Sequence, residues 1–542
     1  MAANGRAHNV SAFGSENSSV WRIREGRDWH NKPRDWHNKP VPHIDMNFIE
    51  IEQLSHDLPT PESALENGIW MAHFLDAKTF TQMVSYWVEI SGAKTKQEFV
   101  HSIISAIESI DREVSAQLDE ILHHRQMQKL EATWRGLNYL VQQKDHNAGD
   151  LVKVKVLSCT WEELKKDSER AIEFDQSALF KLVYQNEYSM PGGEPFGLLI
   201  GDYYLSGGQN AMVVEREINI LRKIAQSAAA AFSPFIMSVE PSVFGSDYFE
   251  NIASMTNIYA QFEQSEYVSW KRLRAEEDVR FIGLTLPNLL YRQPYQSDGS
   301  RSDSFVYNER IRDSHQDLLW GNAAYSFAAV IVRAFQEHGW FTHIRGHKTG
   351  DYSQGIIQPP SLCQVDLPGK GGRYRAPLNL KITEKREQEL ADCGFIPLSP
   401  VAETPFVSFS SNISLHKPQQ FASKGASVNA RLSSMLQYTL CVSRISHYLK
   451  VMGRDRIGSY QDAQSIERDF QAWLHKYTTA SDEASDELRA KYPLNEAKIK
   501  VTEKLGSPGK YYSVIHLRPH FQLDQMVSSI KLITELSPEH IV

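Results

Sequence analysis

The chain has 542 residues, enough for two to four domains or for one large core with additions. Apolar residues make up 41%, charged residues 23%, and the formal net charge is −8; these are ordinary proportions for a soluble globular protein, with no global field to draw nucleic acid or an anionic membrane. No apolar run is long enough to span a bilayer and the first residues lack an apolar stretch, so neither a transmembrane helix nor a signal peptide is expected. Cys159, Cys363, Cys393 and Cys441 lie far apart with no CxxC pair, which excludes a zinc knuckle and a redox motif and reads as reduced, mostly buried thiols.

Residues 1–60 are polar and irregular, and are expected to form a flexible extension. They hold an identical tandem repeat, RDWHNKP at Arg27–Pro33 and again at Arg34–Pro40. Two copies cannot build a solenoid, so the repeat reads as a local duplication in an exposed tail; a tandem Trp-anchored peptide ligand or a zinc site at His30 and His37 are the sharper alternatives.

Residues 61–148 read as a helical region. Phe99, Ile103, Ile107 and Ile110 form one stripe at helical spacing; Val114, Leu118, Ile121 and Leu122 follow, then Leu130, Trp134, Leu137 and Leu140 or Val141. Residues 149–430 read as an α/β core. Leu151–Cys159 (LVKVKVLSC) alternates apolar residues with Lys and predicts a half-buried strand. A helix follows from Trp161 to about Glu187. Buried strands are predicted in PFGLLIGDYYLSGG, SPFIMSVEPSVFG and RFIGLTLP, with an Ala-rich helix over Val213–Phe232. A loop-like stretch at about 345–378, with Pro359–Pro360 and GKGG at Gly369–Gly372, predicts an exposed insertion.

Residues 431–505 read as helical, through Leu432, Met435, Leu436, Leu440, Ile445 and Leu449, then Ile466, Phe470, Trp473, Leu474 and Tyr477. Residues 506–542 predict two strands, Tyr511–Leu517 and Met526–Thr534, with Tyr511, Tyr512, Val514, Ile515, Leu517, Val527, Ile530, Leu532 and Ile533 as candidate interface positions. A two-stranded hairpin is marginal alone and wants a third strand, from its own core or from a neighbour. The fold class is therefore α+β: a mixed α/β core, a helical N-terminal region and a C-terminal β-hairpin.

Motifs that specify catalysis are missing. There is no GxxxxGK[ST]; GSPGK at Gly506–Lys510 is too short, and GKGG lacks a following helix. There is no GxSxG and no HExxH. His338, His343 and His347 are the best metal candidates, but HGWFTHIRGHKTG carries Gly339, Gly346 and Gly350 and reads as strand and loop, so surface or packing histidines are the simpler reading. His123 and His124 adjoin at a helix end and point apart. Glu276, Glu277 and Asp278, and Glu384, Glu387 and Glu389, sit among Lys and Arg and read as solvated faces, or as faces matched to a partner's charges. No catalytic residue, metal ligand or cofactor is assigned.

Six blocks in order carry a resemblance: LDEILHHRQMQKLEATWRGLNYLV (Leu118–Val141), FGLLIGDYYLS (Phe196–Ser206), RFIGLTLPNLLYRQPY (Arg280–Tyr295), LLWGNAAYSFA (Leu318–Ala328), LKITEKREQELADCGFIPL (Leu380–Leu398) and ISHYLKVMGRDRIGSY (Ile445–Tyr460). Together they resemble the TssC, or VipB, family of large sheath subunits of type VI secretion systems, from about residue 70 to the C-terminus. The resemblance implies a core similar to phage tail sheath proteins, pairing with a small sheath subunit (TssB or VipA), and stacking of hexameric rings into a contractile polymer around a tube of Hcp. It also implies attachment to a baseplate, disassembly by the AAA+ ATPase ClpV through an N-terminal helix of the large subunit, and linkage of neighbours through a shared sheet using C-terminal strands. It implies a cytoplasmic location in a Gram-negative cell, with no cofactor, nucleic acid or direct membrane insertion. Met46–Leu54 and Ser18–Arg24 are candidates for the ATPase-recognition segment, and the RDWHNKP duplication departs from the family pattern. The helix carrying Leu432, Leu436, Leu440, Ile445 and Leu449 is the candidate groove for the small subunit. A non-contracting scaffold and an enzyme with scattered catalytic groups are the competing functions.

Overall fold

The computed structural model describes residues 71–144, 151–190, 192–208, 211–298, 305–346, 355–361, 363–365, 373–402, 404–455, 463–479, 485–503, 511–520 and 530–536. Two compact units are present: one holds residues 21–124 with 294–311, the other the remainder.

In the first unit, helix α1 (Phe80–Ser91) starts at Thr79, whose hydroxyl accepts from Gln82 N, and stops at Gly92, where φ of 64° reverses the chain. Helix α2 (Lys96–Leu122) starts the same way at Thr95. The two pack through a small cluster of Val84, Val88, Ala93 and Phe99. The far end of α2 is pinned to the 294–311 segment: Tyr307 Oη donates to Asp119 Oδ1 at 2.8 Å, and His123 Nε2 lies 3.2 Å from Glu309 Oε1.

The second unit begins with helix α3 (Arg125–Gln142) and helix α4 (Trp161–Arg170), the latter opened by a capping box between Thr160 and Glu163. Strand β1 (Leu199–Leu205), helix α5 (Ala211–Ala230), β2 (Phe235–Val239) and β3 (Ile282–Leu286) follow. Then come the pair β4 (Leu289–Arg292) and β5 (Leu319–Gly321), helix α6 (Ala323–His338) and β6 (Ile356–Ile357). A short hairpin of β7 (Cys363–Val365) and β8 (Arg373–Arg375), helix α7 (Glu384–Asp392), β9 (Ile396–Pro400) and β10 (Val407–Phe409) complete the central part.

The central sheet has the order β1-β2-β3-β9-β10-β6. β1, β2, β3 and β9 are parallel; β10 is antiparallel to both its neighbours. Every residue of β2 and β3 is buried, as the apolar runs FIMSV and IGLTL require of interior parallel strands covered on both faces. One face packs on α5, with Phe244, Phe262, Trp270 and Phe395 beneath it. The other packs on α6, whose Phe327 meets Phe409 edge-on at 5.0 Å. Asn322 caps α6 by accepting from Ala324 N at 2.8 Å, and its Oδ1 also accepts from Ser238 Oγ at 2.7 Å, so a buried polar node ties the helix to β2. Gly136 of α3 allows that helix onto Tyr325: a Cβ there would fall 2.5 Å from the ring.

Helices α8 (Lys424–Ser433), α9 (Leu436–Asp455) and α10 (Ala463–His475) lead to strands β11 (Leu494–Glu503), β12 (Tyr511–Pro519) and β13 (Ile530–Leu536). These form an antiparallel sheet in the order β11-β12-β13. One face is packed, with Ala497, Ile499, Val501, Ile515 and Leu517 against Ile445 and Leu449 of α9 and Phe470 and Leu474 of α10.

The fold corrects four expectations. Leu151–Cys159 forms no ladder: no strand among the described residues pairs with it, and most of it is exposed. The 431–505 region is not wholly helical, since β11 occupies its end. The 345–378 stretch is not simply an exposed insertion, because Ile356 and Ile357 are buried as a strand of the central sheet; GKGG lies outside the described residues. The helix expected from Trp161 to Glu187 ends at Arg170 and resumes at Ala178.

Candidate assembly interface

The expected C-terminal hairpin is Tyr511–Pro519 against Ile530–Leu536, and its third strand comes from its own chain. β11 pairs with β12 along its whole length, Ile499 opposite Ile515 and Val501 opposite Ser513. β12 pairs with β13 from Tyr511–Leu536 to Leu517–Ile530, with Val514 opposite Ile533 and Ile515 opposite Leu532. Ile515 and Leu517 are fully buried against α9 and α10, so these two candidate interface residues serve the internal core. Tyr512 and Val514 lie half-buried on the other face; Tyr511 packs at the border of the core. Ile530, Leu532 and Ile533 hold register positions in β13, and Val527 lies outside the described residues.

The two outer edges of this sheet differ. Along β11, α10 supplies side chains to the main chain: Ile499 N donates to Gln471 Oε1 at 2.9 Å, Val501 N to Glu467 Oε2 at 2.9 Å, and Gln471 Nε2 donates to Ala497 O at 2.8 Å. Gln and Glu four residues apart on a helix reach successive outward residues of the strand. β13 is the opposite edge, and no further strand is paired with it among the described residues.

The five residues expected to form a groove do not line one. Leu436 and Leu440 sit in the core beneath α6, Ile445 and Leu449 in the C-terminal core, and Leu432 against Met435 and Tyr438; all are buried. The groove expectation on α9 is therefore corrected: periodicity identified an apolar face correctly, and this chain already covers it.

Among the described residues, α2 carries an apolar face that is left uncovered. Val100, Ile103, Ile107, Ile110, Val114, Gln117 and Ile121 follow alternating steps of three and four, a heptad seam, with β-branched residues at one of its two positions. Ile103 is half-buried against the α1 cluster, but Ile107 and Ile110 are 51% and 61% exposed, and Val100, Val114 and Ile121 are also exposed. Sequence reading placed Ile103, Ile107, Ile110, Val114 and Ile121 of this seam on apolar stripes and left out Val100 and Gln117; the 3–4 spacing was the available sign that the stripe suits a partner helix.

Nothing among the described residues converges as a catalytic centre. Among the described residues, no group of His, Cys, Asp and Glu could hold a metal ion. His338 ends α6 beside Glu337, its ring 4.9 Å from that of His343; His347 is outside the described residues. His447 is buried, with Nε2 3.1 Å from Ala231 O, and burial pushes its pKa down to about 3. Burial raises the Cys393 and Cys441 thiols to about 11 and 12, away from reactive thiolates. Glu276 pairs with Arg222 and Glu389 with Arg386, each at 2.7 Å. No helix of the described residues is long and apolar enough to cross a membrane.

The family model for the EvpB/VC_A0108 tail sheath N-terminal domain matches residues 105–416, and that for the tail sheath gpW/gp25-like domain matches residues 425–536. The chain is 35% identical over 441 residues to the type VI secretion system sheath protein TssC1 of Pseudomonas aeruginosa, covering 81% of this chain and 86% of that protein. Solved sheath tail proteins from Listeria innocua (13% identity, TM-score 0.31, 64% of this chain and 58% of that one) and Desulfitobacterium hafniense (7%, 0.28, 62% and 56%) are more distant, and the chain spans under two thirds of each. By its two consecutive sheath domains and its likeness to a curated sheath protein over most of its length, the chain belongs to the tail sheath family of type VI secretion systems.

Proposed function

We propose that this chain is the large subunit of a contractile sheath, co-assembling with a small sheath subunit around an Hcp tube and contracting to propel it. The observation that carries this reading is the family match through both sheath domains. The chain acts mechanically and not as an enzyme, holds no cofactor, and works in the cytoplasm. The small subunit lays an amphipathic helix on the α2 seam, where Ile107 and Ile110 are exposed. A neighbouring subunit adds a strand at β13, since α10 closes the β11 edge. Baseplate attachment and ClpV-driven disassembly belong to the same reading; Met46–Leu54 and Ser18–Arg24, the candidate recognition segments, lie outside the described residues. Electron microscopy of the chain co-expressed with its small subunit tests it: tubules of stacked rings are expected, and a lone, monodisperse chain that ignores the small subunit overturns it.

A further inference from the structure

The central sheet has an edge that no described residue closes. β1 hydrogen-bonds to β2 through alternate residues: Leu199 N donates to Pro234 O at 2.8 Å, and Leu205 O accepts from Glu240 N at 2.9 Å. Strand alternation turns the main-chain groups of Ile200 and Tyr204 the other way, to the sheet's rim, where no described residue bonds them. β1 is only half-buried along most of its length, whereas β2 and β3 are buried throughout.

Beside that rim runs the Leu151–Cys159 ribbon, the sequence that reads as a strand and forms no ladder. Its attachments are made by side chains. Lys153 pairs with Glu194 at 2.6 Å, Lys155 Nζ sits 4.9 Å from the Phe196 ring centre, and Tyr203 Oη donates to Cys159 O at 2.7 Å. Glu194, Phe196 and Tyr203 advance with residues 153, 155 and 159, while Lys155 also reaches back to Glu187, so the ribbon follows the 194–203 stretch that ends in β1, in the same direction. The main chain of Val154–Ser158 makes no hydrogen bond to any described residue, and Val154, Val156 and Leu157 are exposed. At the same rim Thr133 of α3 reaches Asp202, and next to it Leu130 and Trp134 are exposed, Trp134 at 60%.

An open strand edge, a strand-like ribbon with an unbonded main chain and apolar side chains on both flanks are the parts of a β-sheet that lacks one member. We propose that the rim of β1 and the Val154–Ser158 ribbon together receive one extended segment of a companion polypeptide, with apolar residues at alternate positions. The segment must be free along both edges. Each strand described in this chain already has an edge in use, so a second copy cannot supply it from those strands. Lys153 and Lys155 are already neutralised by Glu194 and Glu187, so the segment is recognised by main-chain bonds and apolar contact and not by acidic charge. The inference rests on the sheath reading, because the companion is the small sheath subunit proposed above; its site is distinct from the α2 seam and from β13.

The test is hydrogen exchange by mass spectrometry on the full chain alone and in complex with the small sheath subunit. Peptides covering 152–158 and the rim amides of 199–205 should exchange rapidly in the lone chain and slow by at least about tenfold in the complex. Unchanged exchange in the complex overturns the proposal, as does protection already present in the lone chain or appearing on self-association without the small subunit. Val154→Pro and Leu157→Pro remove amides that point to opposite sides of the ribbon; neither amide is bonded in the lone chain, so melting should be unaltered. One substitution should weaken co-purification at least about tenfold and the other should not; equal effects, or none, overturn the assignment. Wild-type tubules without altered exchange defeat this inference and leave the sheath reading standing. A wild-type chain that neither pairs with the small subunit nor forms tubules defeats both.

Discussion

Helices α2 and α6 carry comparable apolar stripes and use them in opposite ways. In α6 the stripe is covered almost all round: Phe327, Ala328 and Val330 are buried between the central sheet and α3. In α2, Phe99 alone of the predicted stripe is fully covered, while Ile107 and Ile110 are open. Apolar area removed from water is worth about 25 cal/mol per Å² whoever removes it. The contrast therefore separates apolar residues that stabilise this chain from apolar residues that no described residue covers.

Breaking the contrast on the α6 side has the largest effect. Phe327→Ala should cost about 3–5 kcal/mol in chemical denaturation, because it opens a cavity against Phe409. On the α2 side, Ile107→Asp with Ile110→Asp should cost the lone chain no more than about 1–2 kcal/mol, mostly helix propensity, since both residues are more than half exposed. The same pair should weaken binding of the small subunit at least about 100-fold, roughly 2.7 kcal/mol, by titration. Unaltered binding would return the small-subunit site to another surface.

A third measurement sharpens the interior side. The folded pKa of His447 is depressed, from 6.5 to about 3, so the unfolded chain takes up a proton there before the folded one does. Its contribution is fully present above about pH 6.5 and is lost as pH falls toward 3, with a slope near 1.4 kcal/mol per unit. His447→Gln should flatten the stability curve between about pH 6 and 4 relative to wild type; an identical slope would show that the imidazole is hydrated. The smallest effect is expected from Gln471→Ala, which unbinds Ile499 N and Ala497 O on β11 and should cost about 1–2 kcal/mol. That variant should also speed exchange of the Ile499 amide while leaving the β12 amides slow.

The sequence made the central strands legible because FIMSV and IGLTL are buried on both faces, and an apolar run records that directly. It made α5 legible through its Ala content and α9 through its period. It could not say where each period finds its cover. Leu436 and Leu440 have the same spacing as residues in a binding groove, yet they are spent inside; Ile107 and Ile110 look like core residues and are not. LVKVKVLSC has full strand chemistry, yet no strand pairs with it among the described residues, and a run of nine residues does not record whether a neighbour is present. β11 was readable, since Ala497, Ile499 and Val501 alternate with Lys498 and Lys500, but the preceding helical periodicity masks the change of period at Leu494. The edge caps from Gln471 and Glu467 depend on tertiary placement and leave no local pattern.

Those two caps also set a direction. A sheet closed at one margin and open at the other can be a recipient but not a mutual one: pairing two such margins face to face would stop at a closed couple. Growth into long structures from this module then requires the donated strand to be a loose arm, tethered elsewhere. On the sheath reading proposed above, every such junction would then be head-to-tail, and subunits would swing on their tethers while staying linked.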